Sequence, residues 1–259
     1  MRIEIPEKKK FVFYPKGFDI TTKVPDNKRT FLLKLLPIGN NSMEMEVLAP
    51  TGKKLTLALD TGNAFYATTH RDVLERVGMW TAGKAPKFMK QSGVASGTVD
   101  SWSVRLNNMT IFGVPVASSV WDIIDAPSSS AEGDGTVGFG FLKNFNIIID
   151  YDKRRIWMEN FTGQVAEEPP GEIGIFAFSD PRAKVLRVYH VSPESPAAKA
   201  GIKEGDAILT VNGEDYAGKS YREIRAALEG PKGSSVKLAV SRAGVLKRYT
   251  LERAWMINE

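Results

Sequence analysis

The chain has 259 residues, 42% hydrophobic and 25% charged, enough to bury one large core or two ordinary ones. It contains no cysteine, which excludes disulfides, thiolate metal sites and cysteine nucleophiles, and no apolar run approaches the roughly 20 residues of a membrane helix. The net charge of +5 is scattered, and the two short basic runs, Lys8–Lys10 and Lys153–Arg155, read as solvated faces because no aromatic residues are interleaved for nucleic-acid stacking.

In chain order, Met1–Pro6 lacks the apolar core of a signal peptide, so either the protein is cytoplasmic or the chain begins after a removed signal. Phe31–Leu36, Met43–Val47 and Leu55–Leu59 alternate or run apolar at strand length, with turn residues at Gly39–Asn41 and Pro50–Gly52. One helix is expected in this half, His70–Val77. Asp72 lies in its first turn, Val73, Leu74 and Val77 form its apolar stripe, and Gly78 stops it. Phe145–Asp150 and Arg155–Met158 read as strands. Residues 160–170 are polar and end in Pro169–Pro170, as a linker would. Beyond them Val185–Val191 and Val236–Val240 are expected strands, and Tyr221–Leu228 a short helix closed by Gly230–Pro231.

The segment Leu57–Gly62 ends an apolar strand in a tight turn on a carboxylate, Asp60. Two aspartates a hydrogen bond apart hydrolyse peptides by sharing one proton. One activates a water and the other protonates the scissile carbonyl oxygen. A threonine hydroxyl braces such a loop, and glycine lets two loops approach. Further along comes Asp134–Leu142, with the two strands Phe145–Asp150 and Arg155–Met158 behind it.

Together these segments resemble the retropepsin-like aspartic proteases over residues 28–160. The resemblance implies a mainly β fold, a single-lobe retropepsin-like acid protease β-barrel with Val137 and Gly138 packed beside the catalytic loop Asp60, Thr61 and Gly62. It also implies a flap, for which Phe88–Val104 is the candidate hairpin, its tip between Gly93 and Gly97 over the substrate. Asn63 stands where that family has alanine or serine, and so lies beside the substrate pocket. There is one Asp-Thr-Gly, and Asp134–Thr136 has the wrong order for a second. The implied activity, an aspartic endopeptidase with a water-activating dyad, therefore requires Asp60 from each chain of a homodimer. The alternative is a non-catalytic peptide-binding or scaffolding protein retaining the protease fold.

Ser192–Gly213 places a helix of small residues, a turn on Gly205–Asp206, a strand and an Asn212–Gly213 turn in sequence. This order resembles a PDZ domain of the bacterial, protease-associated type over residues 171–253. The resemblance implies a small β-barrel with two helices that binds peptides by strand addition, a backbone loop receiving the terminal carboxylate. Glu172, Ile173, Gly174 and Ile175 match that loop, and the helix from Tyr221, with Ile224, Arg225 and Leu228, forms the other wall. The expected domains are residues 1–162, retropepsin-like with an N-terminal extension, and 163–259, PDZ.

Gly133–Gly138 matches the dinucleotide fingerprint in letters, but it follows the loop Ala126–Ser130 and precedes no amphipathic helix. A trypsin-like triad is not assembled, since the chain has only His70 and His190 and no Gly-Asp-Ser-Gly-like segment. Neither histidine has a second ligand at metal spacing, so no metal and no cofactor are expected. The expected partners are a peptide or protein substrate, a PDZ peptide ligand and a second copy of the chain, without nucleic acid or a membrane span. The family resemblances lean towards a periplasmic or secreted location.

Overall fold

Side chains on an extended backbone alternate between two faces, so a segment apolar at every second position buries one face and pairs at its edges. That rule builds most of this chain. The computed structural model describes residues 2–4, 10–36, 43–94, 97–126, 133–180 and 182–259. Lys8 and Lys9, the turn expected on Gly39–Asn41 and most of the loop expected over Ala126–Ser130 lie outside the described residues.

The elements begin with β1 (Arg2–Glu4), β2 (Lys10–Val12), β3 (Thr30–Lys34), β4 (Glu44–Leu48), β5 (Lys54–Leu59), β6 (Ala67–His70) and α1 (Arg71–Arg76). There follow β7 (Lys90–Val94), β8 (Gly97–Ile111), β9 (Val114–Ile124), β10 (Gly135–Val137), α2 (Phe139–Leu142), β11 (Phe145–Asp150) and β12 (Arg155–Asn160). The remainder are β13 (Ile175–Asp180), β14 (Val185–Val191), α3 (Pro196–Lys199), β15 (Ala207–Val211), α4 (Tyr221–Leu228), β16 (Ser235–Arg242), β17 (Val245–Glu252) and β18 (Ile257–Asn258). The fold is mainly β. The chain divides into two units, Met1–Lys84 with Val104–Glu168, and Ala85–Ser103 with Pro169–Glu259.

In the first unit an antiparallel sheet runs β2-β1-β11-β12-β3. The other sheet runs β8-β4-β5-β10-β6-β9, and β9 pairs back with β8, so the ring closes. Leu55, Leu57 and Leu59 of β5 and Met45 and Val47 of β4 fill the core at alternate positions. Phe112 and Gly113 join β8 to β9 with φ of 52° and 74°, the left-handed pair that a two-residue hairpin turn requires. Helix α1 is a residue shorter at each end than expected, with His70 and Val77 as its caps. Helix α2 was not anticipated, being a single turn with no side-chain cap to announce it.

The second unit carries the antiparallel sheet β13-β14-β15-β16-β17. Helix α4 begins in a capping box, in which Ser220 Oγ accepts from the Glu223 N–H and Glu223 Oε2 accepts from the Ser220 N–H at 2.9 Å. At its other end the buried Arg253 donates to Leu228 O at 2.8 Å and Ala227 O at 3.0 Å, satisfying carbonyls that the helix itself leaves open. Ile224 and Leu228 then join Ile173, Ala177, Leu186 and Val188 in one core. Asn212 and Gly213, with φ of 53° and 90°, make the expected turn.

The hairpin of β7 and β8, from Lys90 opposite Ser101 to Val94 opposite Gly97, belongs to this second unit as far as Ser103. The buried Asn258 ties it there. Its Oδ1 accepts from the N–H groups of Lys87 (2.6 Å) and Phe88 (3.0 Å), while Nδ2 donates to Phe88 O (3.1 Å) and Ser103 O (3.0 Å). The amide thereby uses every donor it has.

Asn258→Ala strips the acceptor from two N–H groups and costs about 3 kcal/mol. Amide exchange at Lys87 and Phe88 should accelerate, and unchanged protection there would show that Asn258 does not hold the segment. A second expectation concerns pH. Arg242 donates to both Asp206 oxygens, at 2.6 and 2.7 Å, and these bonds hold the buried carboxyl below the ordinary carboxylate range. A depressed folded pKa gives stability that is fully present above the unfolded value of about 3.9 and is lost as pH falls through the folded one. Asp206→Asn should lower the melting temperature at neutral pH and flatten its acid decline. An unaltered decline would place the acid sensitivity elsewhere.

Candidate functional site

Two places gather the candidate residues, one in each unit. In the first, β5 ends at Leu59 and the chain turns at Asp60. The Asp60 N–H donates to Val137 O at 3.0 Å, continuing the parallel β5–β10 ladder into the turn. Asp60 Oδ1 accepts from the Gly62 N–H at 2.8 Å, closing an Asx turn over Thr61, which is exposed.

Asn63 is the hub of this loop. Its Nδ2 donates to Thr136 Oγ1 at 2.7 Å and Thr68 Oγ1 at 3.2 Å, and its Oδ1 accepts from the Phe65 N–H at 2.9 Å. The Thr68 and Thr136 hydroxyls also meet at 2.8 Å. Asn63 O accepts from the Phe139 N–H at 2.7 Å, and Tyr66 O from the Gly138 N–H at 2.9 Å. The approach leaves no room for a side chain on Gly138, where a Cβ would lie 2.3 Å from Phe65 O. Nor could Gly135 carry one, since its Cβ would lie 2.1 Å from Thr68 O.

Asp134 braces the same frame. Its Oδ2 accepts from the Thr56 N–H at 2.8 Å, its carbonyl accepts from Thr69 Oγ1 at 2.6 Å, and Arg76 pairs with Oδ1. Asp60, Thr61, Gly62, Asn63, Val137 and Gly138 are thus brought together in one loop cluster. Gly93 and Gly97 sit at the end of the β7–β8 hairpin in the second unit, and the tip residues Ala95 and Ser96 lie outside the described residues. The hydroxyls of Thr68 and Thr136 escaped the sequence reading, as nothing in a lone threonine on a strand announces its partner.

In the second unit, Ile173, Gly174 and Ile175 lead into β13, an outer strand of its sheet with α4 packed against it. Gly174 has φ +77° and lies so close to Ser195 that a Cβ would fall 2.2 Å from the Ser195 Cβ. The loop carbonyls are taken, Ile173 O by the Ala197 N–H at 3.0 Å and Gly174 O by the Ser192 N–H at 2.8 Å. No described residue accepts from the N–H of Ile173 or Gly174. Ser195, wholly buried, holds the far side of the loop by capping α3 through the Ala198 N–H at 3.1 Å. Tyr221, the first residue of α4, stands over β13, with its phenol pKa raised by burial. On the same helix Arg225 is paired with Glu229.

Neither imidazole meets a serine hydroxyl among the described residues. His70 Nδ1 lies 3.0 Å from Ala126 O, and His190 contacts Met89 O at 3.4 Å and Glu204 at 3.2 Å. The described residues also hold no cluster of three or more histidine, aspartate or glutamate side chains fit for a metal ion.

A PDZ-domain family model matches residues 187–242, and a PDZ domain is present in this chain. The carboxy-terminal processing protease CtpB of Bacillus subtilis is 40% identical over 72 residues, covering 26% of this chain and 15% of that protein. The periplasmic serine endoprotease DegP of Salmonella typhimurium is 32% identical over 136 residues, covering 47% of this chain and 26% of that protein. Among solved structures, a photosystem II D1 C-terminal processing protease is 28% identical with a TM-score of 0.33, covering 36% of this chain and 25% of its own. The chain thus spans about a quarter or less of the length of these curated relatives.

These relatives overturn the expected aspartic endopeptidase. They are named as carboxy-terminal processing proteases and a serine endoprotease, with no aspartic protease among them. The aspartic, retropepsin-type activity is therefore withdrawn from Asp60, Thr61 and Gly62. The homodimer invoked to supply a second Asp60 loses its ground with it. In physical terms, a carboxylate that closes an Asx turn onto Gly62 is accounted for as a loop-forming device.

Asn63→Ala removes three hydrogen bonds at the centre of the loop cluster and should cost about 2 kcal/mol. The measurement is the urea midpoint of the chain, and a variant as stable as the parent would show that the Thr68–Thr136 contact suffices.

Proposed function

We propose that the chain captures extended peptides by their free C-termini, the PDZ unit adding the peptide as a further strand on β13. One observation carries the reading. The N–H groups of Ile173 and Gly174 have no described acceptor, and they stand beside the outer strand of a sheet, with α4 as the facing wall. An outer strand has a row of backbone groups without a neighbour on one side, and a peptide strand can satisfy them. Two adjacent amide donors suit a carboxylate, whose charge makes each bond stronger than one to a neutral oxygen. Ile173, Gly174 and Ile175 are the residues we assign to this contact, and Tyr221 borders it from the first turn of α4.

The relatives are proteases by name, which supports a place for this capture in proteolysis. The role we assign within it is peptide capture by the second unit. For the first unit we propose the single-lobe barrel of retropepsin type as fold alone, supported by the closed strand ring and by Val137–Gly138 laid beside the Asp60 turn. The DegP relative is named as periplasmic, which supports an extracytoplasmic home. No helix among the described residues is long and apolar enough to cross a membrane.

Fluorescence anisotropy with an extended peptide, offered as free acid and as amide, tests the capture. The amide should bind at least about tenfold more weakly, a difference of about 1.4 kcal/mol. Gly174→Val should abolish the preference for the acid, since the left-handed backbone and the Ser195 contact both reject a side chain there. Equal binding of acid and amide would sink the proposal.

A further inference from the structure

Three aromatic rings meet at β13, and their origins make the meeting informative. Ala177 points into the core together with Ile224 and Leu228 of α4, so α4 lies on the core side of the strand. Phe176 and Phe178 flank Ala177 and therefore point to the other face. Yet Tyr221, from α4, lies 5.1 Å from the Phe178 ring and 5.8 Å from the Phe176 ring, centroid to centroid. Phe176 and Phe178 themselves meet edge to face at 4.5 Å, and Tyr189 of β14 adds a fourth ring 5.8 Å from Phe178. A ring from the core side reaches rings on the opposite face only by passing the outer edge of β13. That edge is where an added strand would lie.

Tyr221 remains 43% exposed and Tyr189 50% exposed, so the cluster is not a sealed core. Resting on the proposed capture of peptides at β13, we infer that Tyr221 stands in for the ligand. In the empty groove its ring occupies the place on Phe176 and Phe178 that an aromatic side chain of the captured peptide takes. The site accordingly selects peptides with an aromatic residue on that face. Antiparallel partners share a face, so a terminal residue opposite Ile175 puts the second- and fourth-from-last side chains with Phe176 and Phe178. The same geometry makes Tyr221 a competitor. Its contacts must break before a strand can add, and apparent affinity falls by the fraction of molecules that are open.

The test uses the whole chain and two fluorescein-labelled, alanine-rich octapeptides with free C-termini. One carries phenylalanine at the second- and fourth-from-last positions and the other alanine there. The parent should favour the phenylalanine peptide about tenfold. Tyr221→Ala should bind both peptides several-fold more tightly and keep the preference, while Tyr221→Phe, which keeps the ring, should match the parent. Phe178→Ala should lose the preference but still distinguish free acid from amide. Weaker binding of both peptides by Tyr221→Ala, or no preference in the parent while acid and amide are still distinguished, overturns this inference alone. Loss of the acid–amide distinction in the parent overturns the peptide-capture reading and this inference with it.

Discussion

Every strand at the rim of a sheet has backbone N–H and C=O groups that its sheet does not use, and a folded chain must pair them, cover them or leave them for a partner. The two units answer this constraint differently. The first closes its larger sheet on itself, β9 pairing back with β8, so the strand ring there has no rim. Closure works because the turn at Phe112 and Gly113 takes left-handed geometry and because β10, only three residues long, fits between β5 and β6. Glycines at 135 and 138 make that fit possible, since a Cβ on either would strike backbone oxygen. The second unit has an open sheet with β13 on its rim, beside which the Tyr221 ring packs on Phe178.

That contrast explains where each unit places its polar networks. Around Asp60 the amide of Asn63 and the hydroxyls of Thr68 and Thr136 bond to one another and to the loop backbone. Such a network fixes a conformation, because each buried donor left without a partner costs more than its bond contributes. In the second unit the equivalent devices are spread through the frame. Arg253 fastens the end of α4, Ser195 backs the Gly174 loop, and Asp206 clasps Arg242. The face itself keeps amides without described acceptors. A rigid frame behind a rim with open hydrogen-bonding capacity is what strand capture requires.

Much of this was legible in the chain because its signals are local. Ser220 and Glu223 spell a capping box, and α4 spans Tyr221–Leu228 as read; Val185–Val191 likewise matches β14. The Asn212–Gly213 turn follows from two residues that tolerate positive φ. What escaped depends on partners far away in sequence. The anchor of the β7–β8 hairpin is Asn258, 170 positions from Phe88. The strands β8 and β9 were missed beyond the hairpin limb, since their turn rests on a buried phenylalanine held at positive φ, against that residue's preference. No pattern of apolar spacing reports such a pairing.

The reading of Asp60 failed for a different reason. A tripeptide on a strand end specifies a turn, and the turn formed, but its chemistry was borrowed from a resemblance. Loop geometry of this kind is shared by structural and catalytic carboxylates alike, so it identifies a fold element and not a reaction. The segment from Ser192 to Gly213 is a firmer guide because helix, turn, strand and turn must all be compatible with one core, which includes Ala197, Ile202, Ile208 and Val211. The family match over residues 187–242 lies on this part of the chain. The curated relatives share at most about a quarter of their length with it. A module shared in this way brings its own binding physics, an exposed strand rim and a pair of amides, into whichever protein contains it. The function proposed here rests on the rim of β13 alone.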